Sequence, residues 1–302
     1  MLIEKVSLQT LRRRRWGVIL AGGDGRRLLP FTRQITGDER PKQFCALTGG
    51  ESLLDQTRRR VARIVPKDQT LLVLTWTHEP FYSSQVAESA ARLLVVQPYN
   101  HGTAPAIAWS LIRLRQMDPD GLAAFFPSDH HFADDDAFVA NIESAFLHAD
   151  SDASRVVLLG VTPNAPEQSH GWIEPGKEIA SSGVFEVCRF WEKPSRKIAS
   201  RLMRSGCLWN SFIMIGRVSA FLGLIRKTLP SLLTALECAD DETLSEVYSS
   251  IPGADFSSDV LAACPAALAV LRAPALGWSD LGEPQRVFSV IKSREPALAA
   301  VR

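Results

Sequence analysis

Short runs of apolar residues that end at glycine, proline or a polar side chain dominate the first half of the chain. Residues 16–20 stop at Ala-Gly-Gly, and residues 122–126 stop at Pro-Ser-Asp-His. Runs of this length, without alternating polar positions, are typical of strands that are buried on both faces. The strands predicted in this half are residues 16–20, 70–75, 93–97, 122–126 and 155–161.

The segments between these strands place apolar residues at helical spacing. Helices are predicted over residues 52–64, 103–115 and 137–148, and Thr103 is a candidate cap for the second of them. The alternation of strands and helices favours an α/β, Rossmann-like fold. Its mixed, mostly parallel sheet would carry helices on both faces.

The pattern changes after residue 165, where the predicted strands become shorter and less regularly spaced. These strands are residues 171–174, 184–191, 209–215 and 267–271, with helices near 195–203 and 219–228. Because no repeat or low-complexity linker divides the chain, we expect one domain over residues 1–302, with halves at 16–165 and 166–302. Ligands of such folds bind at the carboxyl ends of the strands.

The charge of the chain is nearly balanced overall but unevenly distributed. With 34 Lys and Arg against 33 Asp and Glu, the formal charge of +1 argues against nucleic-acid or membrane binding through bulk electrostatics. Residues 1–60 nevertheless carry a balance of +7, and the remainder carries −6. Part of the excess is Arg12–Arg15, predicted as the end of a solvated basic arm over residues 1–15.

Cysteine usage and hydropathy indicate where the protein works. The five cysteines are scattered and contain no C-x-x-C pair, which disfavours a disulfide framework or a zinc site. No export signal or membrane span is apparent from the sequence. We therefore expect a cytoplasmic protein in a reducing compartment.

A glycine-rich segment follows the first predicted strand and carries the clearest chemical signal. It reads L-A-G-G-D-G-R-R-L-L-P over residues 20–30, and R-P-K-Q follows at residues 40–43. Glycines after a strand let backbone N–H groups approach an anion, and Arg27 and Lys42 add positive charge. No Gly-Lys-Ser/Thr follows, so it is not a P-loop, and Pro30 stands where the helix of a dinucleotide-binding fold would run. On these residues alone, a tight turn remains an equal alternative.

The segment A-G-G-x-G-x-R-L-x-P…P-K-Q resembles the signature of the sugar-nucleotide pyrophosphorylases, and within them it is most similar to the mannose-1-phosphate guanylyltransferases. Six further segments resemble motifs of this family and occur in the family's order. They are residues 97–108, 127–130, 170–174, 191–194, 209–211 and 278–282. The resemblance implies the nucleotide-diphospho-sugar transferase (GT-A-like) fold, a nucleotide-binding half at 16–165 and a sugar-binding half at 166–302.

The resemblance also implies roles for individual residues. Arg27 and Lys42 would hold the leaving phosphates, and Lys193 would position the attacking phosphate. The implied nucleotide-binding residues are Leu20, Gly22, Gly23, Gly25, Gln97, Gly102 and Thr103. The implied sugar-binding residues are Asp129, Gly171, Glu174, Glu192 and Asn210. Asp129 and Asp280 would also bind Mg²⁺, the expected cofactor.

The implied reaction transfers a nucleotidyl group from an NTP, GTP being favoured, to a sugar 1-phosphate, mannose 1-phosphate being favoured. Five positions depart from the family pattern: Gln97 replaces Glu, His101-Gly102 replaces Arg-Asn, His170 replaces Tyr, and Phe212 replaces Gly. A uridylyl- or thymidylyltransferase acting on a glucose-type 1-phosphate therefore remains an alternative, as does a non-catalytic nucleotide-sugar-binding regulator. We expect no carboxy-terminal β-helix or cupin domain, no nucleic-acid or membrane partner, and leave a homodimer open.

Overall fold

A single mixed β-sheet runs through the protein, covered by helices on both faces. The computed structural model describes residues 14–179, 183–273 and 276–299. The sheet order is β3-β2-β1-β4-β8-β5-β9-β7-β6. The strands are β1 Arg15–Leu20, β2 Thr70–Thr75, β3 Leu94–Gln97, β4 Leu122–Pro127, β5 Val156–Val161, β6 Trp172–Ile179, β7 Val184–Trp191, β8 Leu208–Arg217 and β9 Leu268–Ala273.

Five helices of the described part of the chain lie close to the positions that the apolar spacing predicts, and no bounds were predicted for the others. In chain order, the helices are α1 Leu29–Thr36, α2 Leu53–Val61, α3 Glu79–Val86, α4 Thr103–Met117, α5 Asp135–Ser151, α6 Arg196–Arg204, α7 Val218–Thr228, α8 Pro230–Glu237, α9 Leu244–Ser250 and α10 Pro284–Ala299. Pro30 does not prevent a helix after the glycine segment, because it occupies the first turn of α1, where a missing N–H costs nothing.

The prediction of a mostly parallel sheet is correct for the first half of the chain and wrong for the second. Strands β1 to β4 pair in parallel, and so do β5 and β9. Strand β8 pairs antiparallel with both β4 and β5, and β7 pairs antiparallel with β6 and β9. Strand β8 thus inserts a segment of the second half between two strands of the first.

The core forms two apolar layers, one on each face of the sheet. Along β1, Val18 faces the layer formed with α4, α7 and α8, whereas Ile19 faces the layer formed with α2 and α5. This alternation follows from the two-residue period of a strand. Because both faces are covered, the strands contain uninterrupted apolar runs, which is the pattern that identified them.

Arg15 corrects the prediction of a solvated basic arm at residues 1–15. Its side chain is 1% exposed, and its guanidinium pairs with Glu143 and lies 4.6 Å from the centre of the Phe146 ring. Arg15 therefore belongs to the folded core, since a buried charge requires a partner of this kind. Arg12 and Arg13 lie outside the described residues.

The parallel strands bring their polar loops to one edge of the sheet. The loops after β1, β3 and β4 all start at carboxyl ends, since these strands run in the same direction. The three loops contain the glycine segment, Gly102 and Asp129. None of the helices in the described part of the chain is long and apolar enough to cross a membrane.

Candidate nucleotide and phosphate site

Gln43 fixes the shape of the glycine loop that follows β1. Its side-chain nitrogen donates to the carbonyl oxygens of Ala21, at 2.9 Å, and Gly23, at 2.7 Å. The side chain is buried, so both hydrogen bonds are shielded from water. Gln43 belongs to a motif that is visible in the sequence, but its role of holding the loop is apparent only from these contacts.

Glycine suits the three positions of this loop for different structural reasons. A Cβ at Gly22 would lie 2.7 Å from Thr75 Oγ1 and 2.8 Å from Gln97 Nε2, so Gly22 makes room for neighbouring side chains. Gly25 has a φ of +62°, a backbone conformation that favours glycine. Gly23 has no atom within 4 Å of its Cβ position, and it alone of the three leaves open space above the loop.

All seven residues predicted to bind the nucleotide line one cavity of about 390 Å³. Asp129 lines it as well, at the end of β4. Nine further residues complete the wall: Gln43, Val73, Asn100, Ala106, Pro127, Ser128, His130, Phe212 and Asp255. Phe212 and Asp255 come from the second half of the chain, so the sequence halves do not separate the site as predicted.

The loop between β3 and α4 packs against a segment that is about 150 residues distant in sequence. Gly102 has a φ of +93°, and a Cβ there would lie 2.3 Å from the Ala254 carbonyl oxygen. Thr103 Oγ1 accepts a hydrogen bond from the Phe256 N–H, at 2.7 Å, and donates to Asp255, at 3.2 Å. The prediction that Thr103 caps α4 is wrong, because Gly102 is the N-cap and the threonine hydroxyl binds this distant segment instead.

A second cavity, of about 370 Å³, contains the predicted phosphate and metal residues. Arg27, Lys42, Asp129 and Asp280 all line it. The two cavities share Gly25, Asp129 and His130 in their walls and therefore adjoin each other. A larger cavity of about 620 Å³, between α2 and the start of β3, contains none of the predicted site residues.

Lys42 joins the two halves of the protein at this second cavity. Its Nζ lies 3.2 Å from Asp129 Oδ2 and donates to the Asp280 carbonyl oxygen at 2.6 Å. Arg27 is exposed and forms no ion pair with any residue that the structure describes. Arg26 also lines the cavity and pairs with Asp24, so the cavity presents three cations and two carboxylates, and Arg27 is the cation without an ion pair among the described residues.

Asp280 is held in place by two residues to which the motifs alone assign no such role. Arg286 donates to Asp280 Oδ1 and also pairs with Glu167. His170 Nε2 lies 3.3 Å from Asp280 Oδ2. Burial alone would raise the pKa of Asp280, but the hydrogen bond from His170 and the charges around it hold that pKa well below its usual range.

His130 lies in the wall shared by the two cavities. Burial lowers its pKa to about 4, and its Nδ1 accepts a hydrogen bond from Trp278 Nε1 at 3.2 Å. The imidazole is therefore neutral near pH 7 and does not compensate the charge of Asp129. Asp134–Asp136, close by in sequence, begin α5 as predicted, with Asp134 accepting from the Ala137 N–H.

Asp129, one of the residues predicted to hold the sugar, lines both cavities, whereas the other five predicted for the sugar and its phosphate form a separate cluster on or next to β6, β7 and β8. The Asn210 N–H donates to the Gly171 carbonyl oxygen at 2.8 Å, and Lys193 Nζ lies 3.0 Å from Glu192 Oε1. Glu174 accepts from Trp191 Nε1 at 3.2 Å. All five of these predicted residues line neither cavity: Lys193, Gly171, Glu174, Glu192 and Asn210.

Gly171 is required for packing within this cluster. A Cβ there would lie 2.9 Å from the Phe190 ring and 3.0 Å from Glu192 Oε2. Its neighbour His170 contacts Asp280, so the cluster adjoins the second cavity through this histidine. The prediction of close ligand approach at Gly171 stays a prediction.

Phe212 adopts a backbone conformation that explains the glycine found there in the family motif. Its φ is +61°, which costs a residue with a side chain about 1–2 kcal/mol. Asn210 Oδ1 accepts from the Phe212 N–H at 3.1 Å and holds the turn. The phenyl ring lies in the wall of the first cavity, where a glycine would leave open space.

With this geometry established, comparison with known proteins identifies the class of protein. Residues 16–295 match the model of the nucleotidyl transferase family, and the chain therefore belongs to that family. The resemblance inferred from the collinear motifs is confirmed.

The curated relatives narrow the similarity. The chain is 30% identical to a mannose-1-phosphate guanylyltransferase of Escherichia coli (strain K12) over 292 residues, covering 90% of this chain and 59% of the relative. It is 31% identical to the alginate biosynthesis protein AlgA of Pseudomonas syringae pv. tomato over 276 residues, covering 88% and 56%. The chain thus spans less than two thirds of the length of these relatives.

A solved structure shows the same fold. The crystal structure of a protein named mannose-1-phosphate geranyltransferase, from Thermus thermophilus, superposes with a TM-score of 0.79 at 29% identity. The match covers 91% of this chain and 79% of that chain. The fold expected from the motifs is therefore confirmed at the level of the nucleotidyltransferase α/β architecture.

Proposed function

We propose that the protein transfers a nucleotidyl group from an NTP to a sugar 1-phosphate, giving a nucleoside diphosphate sugar and pyrophosphate. The observation that carries this proposal is that the two cavities adjoin, with Gly25, Asp129 and His130 in the walls of both. One is lined by the glycine loop and Gln97, and the other by the cations and carboxylates suited to phosphates. A triphosphate lying across both would have its phosphates beside Arg27 and Lys42.

The proposed chemistry requires alignment and charge neutralisation more than proton transfer. An oxygen of the sugar phosphate forms a bond to the α-phosphorus, and the bond from that phosphorus to the bridging oxygen of the leaving pyrophosphate breaks. The attacking phosphate is anionic near pH 7, so no general base is needed. Arg27 and Lys42 would stabilise the leaving pyrophosphate, and Lys193 would orient the attacking phosphate.

The carboxylates of the second cavity suit a magnesium ion. Asp129 and Asp280 line the same space, and carboxylate with phosphate oxygens is the donor set that Mg²⁺ prefers. Arg286 and His170 would hold the Asp280 carboxylate in position as outer partners. When bound there, the ion would neutralise charge on the triphosphate.

GTP and mannose 1-phosphate are the favoured substrates in this proposal, since the relative from Escherichia coli is named mannose-1-phosphate guanylyltransferase. Gln97 and Phe212 depart from the pattern of the mannose-1-phosphate guanylyltransferases. They therefore support retaining the second candidate, a uridylyl- or thymidylyltransferase acting on a glucose-type 1-phosphate. A non-catalytic regulator would keep the nucleotide cavity without transferring the group. The cations and carboxylates of the second cavity favour an enzyme over a regulator.

The test is pyrophosphate release with Mg²⁺ across a matrix of GTP, UTP, dTTP, CTP and ATP against mannose and glucose 1-phosphates. We expect release only when both an NTP and a sugar 1-phosphate are present, and most with GTP and mannose 1-phosphate. Release with UTP or dTTP and glucose 1-phosphate would establish the second candidate. Nucleotide binding with no release in any pair would favour the regulator.

A further inference from the structure

The side-chain amide of Gln97 lines the nucleotide cavity and is 2% exposed. A buried amide has a defined direction only if its neighbours distinguish oxygen from nitrogen. Two neighbours do so here. The Leu74 carbonyl oxygen lies 3.5 Å from Gln97 Nε2, and the Tyr248 hydroxyl lies 3.3 Å from Gln97 Oε1.

The Leu74 carbonyl can only accept, so the amide nitrogen must face it; two oxygens would repel each other. The Tyr248 hydroxyl must then donate to Oε1. Tyr248 is fully buried on α9, and burial raises the pKa of its phenol well above the usual range, so the hydroxyl keeps the proton that it donates.

These contacts use the amide oxygen and one N–H and leave the second N–H for a ligand. Gly22 makes this possible, because a Cβ at that position would lie 2.8 Å from Gln97 Nε2. Gly22 lines the same cavity, so the nitrogen lies in the cavity wall. In the described part of the chain, Gln97 has no side-chain hydrogen bond besides those to Leu74 and Tyr248.

We propose that Tyr248 is a positioning residue that directs an N–H of Gln97 into the nucleotide cavity, so that the site selects bases with a carbonyl oxygen over those with an amino group at the equivalent position. This inference rests on the proposed function, since it assumes that the cavity binds the base. Guanine, hypoxanthine, uracil and thymine carry the carbonyl at purine C6 or pyrimidine C4, whereas adenine and cytosine carry an amino group there. An amino group facing the N–H leaves both donors without an acceptor.

The experiment is calorimetric binding of two matched nucleotide pairs, ITP against ATP and UTP against CTP, without any sugar phosphate. Within each pair, an oxo group is exchanged for an amino group at one carbon, and the adjacent ring nitrogen changes from a donor to an acceptor with it. We expect the wild-type protein to bind the oxo member of each pair about tenfold more tightly, the size of one unmatched hydrogen bond. Equal binding within each pair, or tighter binding of ATP and CTP, would overturn the proposal.

Tyr248→Phe tests the role of the phenol directly. Without this donor, Oε1 is buried with no partner, and only the 3.5 Å contact with the Leu74 carbonyl orients the amide. The oxo preference should therefore fall to within about threefold, because turning the amide no longer costs the hydrogen bond from Tyr248. Tyr82→Phe is the matched control, because Tyr82 is also buried but lies on α3 and lines neither cavity. An oxo preference that is unchanged in Tyr248→Phe would contradict the positioning role, whatever happens to the melting temperature.

If Tyr248→Phe does not fold, Gln97→Met decides the outcome, since it removes the amide at nearly constant volume and should abolish the oxo preference. Retention of the preference in this variant would overturn the proposal. Because binding is measured without sugar phosphate, these results are independent of catalysis. Tight nucleotide binding with the oxo preference but no pyrophosphate release would refute the proposed reaction alone.

Discussion

The two halves of the chain contribute to the site in different ways. The first half supplies the loops at the carboxyl ends of parallel strands, so its residues meet because consecutive strands run in the same direction. The second half supplies residues that are distant in sequence to the same cavities: Phe212 on β8, Asp255 just before a π-helical turn at Ser257–Leu261, and Asp280 before α10. The shared direction of the parallel strands thus brings together the loops that are predicted to bind the nucleotide. Tertiary packing adds the residues of the second half to the walls of the cavities.

Among the substitutions that test how the two halves form the site, Lys42→Ala should have the largest effect. Lys42 joins Asp129 of the first half to the Asp280 backbone of the second. We expect kcat for pyrophosphate release to fall by about 10²–10³, the usual cost of removing one charge-stabilising group. The matched control is Lys227→Ala, an exposed lysine on α7. Near-wild-type turnover in Lys42→Ala would remove this residue from the chemistry.

Much of the first half was predictable from the sequence, because its apolar runs and helical spacings are local signals. The strand predicted at residues 70–75 agrees at both ends with β2. All seven residues that are predicted to bind the nucleotide line one cavity. Tyr248 carries no local signal, since its partner Gln97 lies more than 100 residues away. Arg286 contacts Asp280 six residues before it, but no motif marks it, and its other partner Glu167 is more than 100 residues away. A buried arginine such as Arg15 was missed because a run of four arginines resembles a solvated arm.

Gly102→Ala should weaken the contact between the halves. The added Cβ would lie 2.3 Å from the Ala254 carbonyl oxygen, and the φ of +93° adds strain. We expect a loss of about 3 kcal/mol in the free energy of unfolding, from overpacking and strain together. Urea denaturation measures it.

The control for Gly102→Ala is Gly37→Ala. Gly37 has a φ of +78° but no atom within 4 Å of its Cβ position. Its substitution should therefore cost only the backbone strain, about 1 kcal/mol. Equal losses at the two positions would mean that the contact with Ala254 contributes little.

Substitutions of Phe212 should have the smallest effect on stability. They test whether the backbone of β8 is strained at this residue. Phe212→Ala removes the ring and keeps a side chain at a φ of +61°, whereas Phe212→Gly removes both the ring and the strain. We expect the glycine variant to be about 1 kcal/mol more stable than the alanine variant in urea denaturation. The ordinary order for a strand, with alanine the more stable, would show that the turn is not strained.

The most direct test of the proposed transferase site is ³¹P NMR of the reaction with GTP, mannose 1-phosphate and Mg²⁺. We expect the two substrates to disappear together and a sugar nucleotide and free pyrophosphate to appear in equal amounts. Formation of GDP and inorganic phosphate would instead show hydrolysis of the triphosphate at another bond. Unchanged spectra with every NTP and sugar 1-phosphate pair, from a protein that binds the nucleotide, would contradict the claim that the two adjoining cavities form a transferase site.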